Sequence, residues 1–185
     1  FRRVLFRSGK HMLKVSLRPS IGIISTGDEL VDVDQQPAPY QIRRSNTYAL
    51  QAALLQMGIL ADMYHLADDK STIQSGMEEA LIKHDVLILS GGVSKGKKDY
   101  VPEVLENLGM EKLFHRVKQK PGKPFWFGKN LNNKVVFALP GNPVSTFMCF
   151  NRYFKPWLLR SMGAEDKPLP CAKLTADIHF KPPLT

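Results

Sequence analysis

Residues 90–100, SGGVSKGKKDY, place Gly91, Gly96 and Lys97 at the G-x-x-x-x-G-K spacing of a phosphate-cradling loop. In such a loop backbone N–H groups surround phosphate, the lysine reaches it, and a following Ser or Thr hydroxyl ligates Mg²⁺. Here the following residue is Lys98, which has no hydroxyl to give. A helix opening at Gly96-Lys97 would also carry Pro102 in its interior, at a cost of about 3 kcal/mol. A helix opening near Asp99 puts Pro102 in the first turn, where a missing N–H is harmless, and makes Asp99 its N-cap. The stretch therefore reads as a long glycine-rich loop of another kind. Gly91 and Gly92 let a ligand come close to the backbone, and the N–H groups of such a loop suit an anion.

The elements that position this loop alternate. IGIIS (21–25) is a short apolar strand that runs into the loop TGDEL. Ser45 or Asn46 caps a helix through TYALQAALLQM that stops at Gly58. LADMYHL (60–66) is the next strand, and Ser71 with Gln74 has the pattern of a capping box ahead of MEEALIKH. DVLILS (85–90) is a continuous apolar run, as in a strand buried on both faces. A helix then runs to Gly109, followed by KLFHRV (112–117). KPFWFG and KVVFAL flank a turn at Asn132-Asn133 and predict a hairpin, with Phe125 and Trp126 in the core. Asn142-Pro143 opens a long helix that Pro156 kinks or splits. The pattern predicts an α/β fold of three layers, a mostly parallel sheet with helices on both faces. In such sheets ligands gather beyond the carboxyl ends of the strands, where STGDEL, SGGVSKGKKDY and LPGNPVS all leave.

Composition removes several classes. The chain has 185 residues, 43% of them hydrophobic, which suffices for one sizeable core. No apolar run approaches the length of a membrane span. Cys149 and Cys171 lie far apart with no metal-ligand spacing, so a reduced, cytoplasmic setting is expected. His11, His65, His84, His115 and His179 show no metal spacing either. The net charge of +9 is uneven: the first 20 residues carry six basic groups and no acid, leaving 20 basic against 17 acidic groups in the rest. A second excess lies in residues 112–134, with seven basic groups and no acid. That is a local surface for an anionic ligand, and no nucleic-acid module accompanies it.

Four segments in this order, STGDEL, SGGVSKGKKDYV, KPGKPFWFG and LPGNPVS, resemble the molybdopterin molybdenumtransferases of the MoeA type. The resemblance covers about residues 15–163 and implies the molybdenum-cofactor-biosynthesis (MogA-like) fold. Residues 1–14 are then an N-terminal stretch and linker, in which VLFRS is compatible by reverse translation with a sequencing-adapter origin. Residues 164–185 are the beginning of a truncated C-terminal β-barrel domain. The implied reaction inserts molybdate into adenylylated molybdopterin, releasing AMP with the help of Mg²⁺. The implied assembly is a homodimer when full length, and the implied pathway partner is a molybdopterin adenylyltransferase.

The resemblance assigns catalytic roles to Asp99, Glu29 and Asp68, with Asp99 and Asp68 as the carboxylates for the metal. It places Thr26, Gly27, Asp28, Gly91, Gly92, Ser94, Lys120, Lys123, Pro140, Gly141, Asn142, Pro143 and Ser145 on the substrate. The chemistry is coherent, because glycine-rich N–H nests and lysines suit pyrophosphate and oxyanions. A hard divalent cation needs only one or two carboxylates beside a phosphate. Each site also has a plain structural reading: Asp99 and Asn142 as helix caps, Asp28, Glu29 and Asp68 as solvated loop carboxylates, Lys120 and Lys123 as a surface charge run. One position departs from the family, which has an aspartate before Ser-Asn where this chain has Arg44. Two other functions stand beside insertion. An adenylyltransferase would show a GGTG loop where this chain has GGVS, and a non-catalytic molybdopterin-binding scaffold would not need Asp99, Glu29 and Lys120.

Overall fold

All six residues of strand β1, Ile21–Thr26, are buried, as are all five of β5, Val86–Ser90. Only the centre of a sheet covered on both faces allows that, and the computed structural model shows why. It describes residues 7, 9, 12, 14–93, 99–164 and 171–177. After β1 come two short strands, β2 (Leu30–Val31) and β3 (Ile42–Arg43), then helix α1 (Ser45–Gln56) and strand β4 (Ala61–Leu66). Helix α2 (Lys70–Lys83) leads to β5, and helix α3 (Val101–Asn107) to strand β6 (Glu111–His115). Strands β7 (Trp126–Lys129) and β8 (Val135–Leu139) follow, then helix α4 (Pro143–Cys149), a π-helical turn (Phe150–Phe154) and helix α5 (Lys155–Ser161).

The main sheet has the order β4-β1-β5-β8-β7-β6. β4, β1, β5 and β8 are parallel, while β7 runs antiparallel to both β8 and β6. β2 and β3 pair only with each other, in parallel. Successive residues on the central strands serve two cores, because side chains alternate faces. Ile24, Leu87, Leu89, Val136 and Ala138 meet α2 and α3 residues such as Met77 and Leu105. Ile23, Ile88, Phe137 and Leu139 meet α1, α4 and α5 through Leu50, Cys149 and Leu158. Each of the Val, Leu, Ile, Met and Phe side chains among them, once fully buried, contributes about 1.5–3 kcal/mol. Phe125 and Trp126 are both fully buried, as expected of core residues. No helix among the described residues is long and apolar enough to cross a membrane.

Three helix starts differ from expectation. The first residue of α1 is Ser45, the preceding Arg44 holds the cap position without a side-chain bond, and Asn46 lies two residues past it. At α2 the cap is Asp69, which accepts the Thr72 N–H at 2.9 Å, so Ser71 only donates its hydroxyl to the same carboxylate. At α3 the cap position belongs to Tyr100, without a side-chain bond, and Asp99 lies one residue outside. Pro102 does fall in the first turn. Asn142 caps α4 as expected, accepting from the Ser145 N–H at 3.2 Å. The long last helix is split rather than kinked. Pro156 has no N–H for the carbonyl of Arg152, and the turn just before it widens to the π form.

Candidate functional site

β1 and β5 lie side by side in parallel, yet the chain leaves them toward opposite edges: β1 connects through α1 to the edge strand β4, and β5 through α3 to β6 at the other edge. Neighbouring parallel strands whose connections part in this way leave a crevice at their carboxyl ends. A cavity of about 180 Å³ lies there. Ser25 and Thr26 end β1 and Ser90 and Gly91 end β5 along its wall; Gly141 and Pro143 enter from the loop after β8. Glu29, Leu30 and residues 42–47 complete it. Of the substrate and catalytic residues predicted from sequence, Thr26, Glu29, Gly91, Gly141 and Pro143 therefore meet in one place.

Two glycines explain how closely these loops pack. Gly92 has φ +69°, and a Cβ there would fall 2.5 Å from Val101 Cγ2 and 2.9 Å from Thr26 Oγ1. Any side chain would be strained and would push the β1 and β5 loops apart. Gly27 has φ +138°, and a Cβ would meet the Glu29 carboxylate at 2.7 Å, so the turn folds Glu29 back beside it. The Gly91 N–H is spent on Leu139 O at 3.2 Å, which ties the β5 loop to the end of β8.

The other predicted residues sit around this cavity or away from it. Asp28 Oδ1 accepts the Asp68 backbone N–H at 2.9 Å, which brings the carboxylate loops after β1 and β4 together. Asp99 is half-buried, two residues before the Val101 that packs against Gly92. Ser145 is 7% exposed, with its N–H and hydroxyl turned to the Asn142 cap, and the Pro140 carbonyl takes the Thr146 hydroxyl. Lys120 and Lys123 are exposed and do not line the cavity; their loop docks on α4 instead, where a Cβ at Gly122 would lie 2.6 Å from Cys149 Sγ. Ser94 falls outside the described residues.

Sequence reasoning missed three groups. Asn46, read as a cap, sends its amide nitrogen to Gly141 O at 2.8 Å, Ser90 Oγ at 2.9 Å and Thr146 Oγ1 at 3.3 Å. Ser90, read only as the end of a strand, belongs to the cavity wall. Arg44, read as a lost contact, lines the cavity and pairs with Asp32 Oδ2 at 2.5 Å. Asp32 also accepts the Tyr48 hydroxyl at 2.6 Å and the Val33 N–H at 2.9 Å. These bonds, Tyr48 first, hold the Asp32 carboxyl below the usual carboxylate range. A polar residue in the first turn of a helix that does not cap it was the signal available for Asn46.

Among the described residues no three His, Cys, Asp or Glu side chains converge on a metal-sized point. The donor chemistry still fits a hard cation that arrives with phosphate oxygens, which asks for one or two carboxylates. The neighbouring Asp28 and Asp68 loops meet that requirement.

Residues 22–160 match the model of the family described as "Probable molybdopterin binding domain". The chain belongs to this molybdopterin-binding domain family. It is 46% identical over 179 residues to a molybdopterin molybdenumtransferase from Synechocystis, covering 96% of this chain and 43% of that protein. A Staphylococcus epidermidis protein of the same name is 34% identical, over 88% of this chain and 39% of its own length. The chain thus spans less than half the length of these relatives. Among solved structures, a molybdopterin biosynthesis MoeA protein from Pyrococcus horikoshii superposes with a TM-score of 0.76 at 34% identity, over 89% of this chain and 40% of that one. A molybdenum cofactor biosynthesis protein B structure shares the fold, with a TM-score of 0.57 at 17% identity, over 81% of this chain and 97% of that one.

Proposed function

We propose that this chain is the molybdopterin-binding unit of an enzyme of molybdenum cofactor biosynthesis, which inserts molybdate into adenylylated molybdopterin and releases AMP. The observation that carries the reading is the cavity between β1 and β5. In a chain related to molybdopterin molybdenumtransferases, it gathers Thr26, Glu29, Gly91, Gly141 and Pro143 at the carboxyl ends of the central strands. Among the described residues Arg43, Arg44 and Glu29 are its charged lining, with Asp32 bonded to Arg44 from behind, and the Arg43 guanidinium in particular favours an anionic ligand.

In this reading the cavity holds the phosphoryl end of the ligand, and the tight turn at Gly92 keeps water and side chains out of the space between the loops. The groove between α1 and α4 shares Ser45, Asn46 and Pro143 with the cavity and is otherwise mostly apolar, with Leu50, Val144 and Phe147 on its walls beside Thr146 and Asn151. It suits a planar heterocycle joined to the phosphates. Asp68, with Asp28 beside its backbone and Asp99 as the resemblance implies, would hold Mg²⁺, which when bound would neutralise charge on the pyrophosphate during its cleavage. Glu29, which lines the cavity, would orient water or a ligand hydroxyl there. Lys120 and Lys123, exposed beside α4, serve as an outer attraction for molybdate rather than as cavity ligands.

The test is AMP release. A protein carrying this chain together with the remaining length of its relatives is incubated with adenylylated molybdopterin, molybdate and Mg²⁺. Molybdate-dependent release of one AMP per ligand is expected; ligand bound but never cleaved would leave a binding module, and contradict the enzyme reading.

A further inference from the structure

Ser90 is the last residue of β5, only 4% exposed, and yet part of the cavity wall. Its Oγ accepts a hydrogen from Asn46 Nδ2 at 2.9 Å. The direction of that bond is fixed by a neighbour. The same nitrogen lies 2.8 Å from Gly141 O, and a carbonyl oxygen only accepts, so this end of the amide is the NH₂. A second hydroxyl shows what should follow. Thr146 Oγ1 also faces Asn46 Nδ2, at 3.3 Å, and donates its own hydrogen bond to Pro140 O at 2.5 Å. Ser90 has no such outlet: among the described residues, no acceptor takes its proton.

A buried hydroxyl whose oxygen is engaged by a donor is left to donate, and leaving it unmatched costs about 1–3 kcal/mol. The cavity that Ser90 lines is where its acceptor has to come from. Arg43 and Arg44 on the same wall, the latter shared with Asp32, favour an anionic acceptor. We propose that Ser90 donates its hydroxyl proton to a phosphoryl oxygen of the bound nucleotide, and that Asn46 is the positioning residue that fixes Ser90 as a donor. This rests on reading the cavity as the phosphoryl end of the adenylylated molybdopterin site.

The arrangement has a second consequence. One Asn46 nitrogen connects the start of α1 to the ends of both β5 and the β8–α4 loop, so the polarity of Ser90 and the spacing of the walls are set together. A ligand oxygen accepting from Ser90 would strengthen the Asn46 bond to Ser90 in turn, since chains of hydrogen bonds polarise one another.

Calorimetry with AMP and with adenosine, on the chain itself, tests the proposal. Ser90→Ala should weaken AMP binding at least about tenfold, the scale of one hydrogen bond to a charged group. Adenosine binding and the melting temperature should hardly change. Asn46→Ala should weaken AMP binding as well, and the double variant should bind AMP no more weakly than Asn46→Ala alone. Wild-type AMP binding with Ser90→Ala unaffected would overturn the inference and leave the reading of the site intact. Equal losses for AMP and adenosine would make Ser90 a packing residue, and would overturn it too. Additive losses in the double variant would overturn the role of Asn46. Wild-type protein that binds no AMP would overturn both the inference and the reading beneath it.

Discussion

The guanidinium of Arg44 stands 2.5 Å from the carboxylate of Asp32, across the short β2–β3 pair that covers one side of the cavity. The pair holds residue 44, one place ahead of α1, at the cavity wall. The Asp32 carboxyl is held below its usual range by Tyr48, Val33 and Arg44, so the contact persists well into the acid range. Arg44→Ala should therefore weaken AMP binding about three- to tenfold and flatten its salt dependence, because one positive charge leaves the wall. The slope of affinity against ionic strength, measured for wild type and variant, checks this; an unchanged slope would mean that Arg44 serves only Asp32.

Gly92→Ala should be costly twice. The residue sits at φ +69° and its Cβ would press on Val101 Cγ2 and Thr26 Oγ1. A loss of about 1–3 kcal/mol in unfolding free energy is expected, together with weakened AMP binding as the β1 and β5 loops are forced apart. Denaturant titration and calorimetry on one preparation read both. Gly109→Ala is the control: φ is +75° there too, but no atom lies within 4 Å of the added Cβ and the position is far from the cavity, so only stability should fall.

His84 gives a pH dependence unrelated to the site. It is 4% exposed, its Nε2 meets the Tyr64 hydroxyl at 2.8 Å, and its Nδ1 is buried without a partner among the described residues. Burial pushes its pKa below the ordinary imidazole value, although Asp62 opposes this. The unfolded chain therefore takes up a proton at a higher pH than the folded one. Stability is fully present above about pH 6.5 and is lost as pH falls toward the folded pKa. His115, also lowered by burial, adds to the slope. Melting temperature between pH 8 and pH 5 should fall less steeply for His84→Gln than for wild type.

Much of the architecture was legible because the strands alternate between two cores. The runs at 21–25 and 85–90 announced buried central strands, and Asn132-Asn133 marked the β7–β8 turn. The helix starts were harder, since Ser, Asn and Asp are common both at caps and just beside them. Asp69 outcompeted Ser71 because a carboxylate accepts from Ser71, Thr72 N and Thr72 Oγ1 at once. In the site, glycines and the Gly141-Asn142-Pro143 loop were legible from their turn chemistry. Asn46 and Ser90 were not, because they are joined by a bond between residues 44 positions apart that no local pattern encodes.

Asp99 now separates function from capping more sharply than its sequence suggested. Tyr100, not Asp99, occupies the cap position of α3. Asp99→Asn and Asp99→Ala should both fold, and neither removes a cap, since the cap position belongs to Tyr100. Within a protein of the relatives' full length, both should lower molybdate insertion at least about 100-fold, or about 2.7 kcal/mol in barrier. Near-normal insertion at saturating Mg²⁺ in Asp99→Asn would remove Asp99 from the chemistry.

The central claim is that the cavity at the ends of β1 and β5 is where the phosphoryl end of the ligand binds. Titrating AMP into the isotope-labelled chain and following each backbone amide by NMR tests that most directly. The account predicts the largest, saturable shifts at Thr26, Gly27, Gly91 and Gly141, with a smaller set along the α1–α4 groove at Ala49 and Phe147. Shifts confined to the basic surface around Arg152, Trp157 and Arg160, or no saturable shift at all, would contradict it.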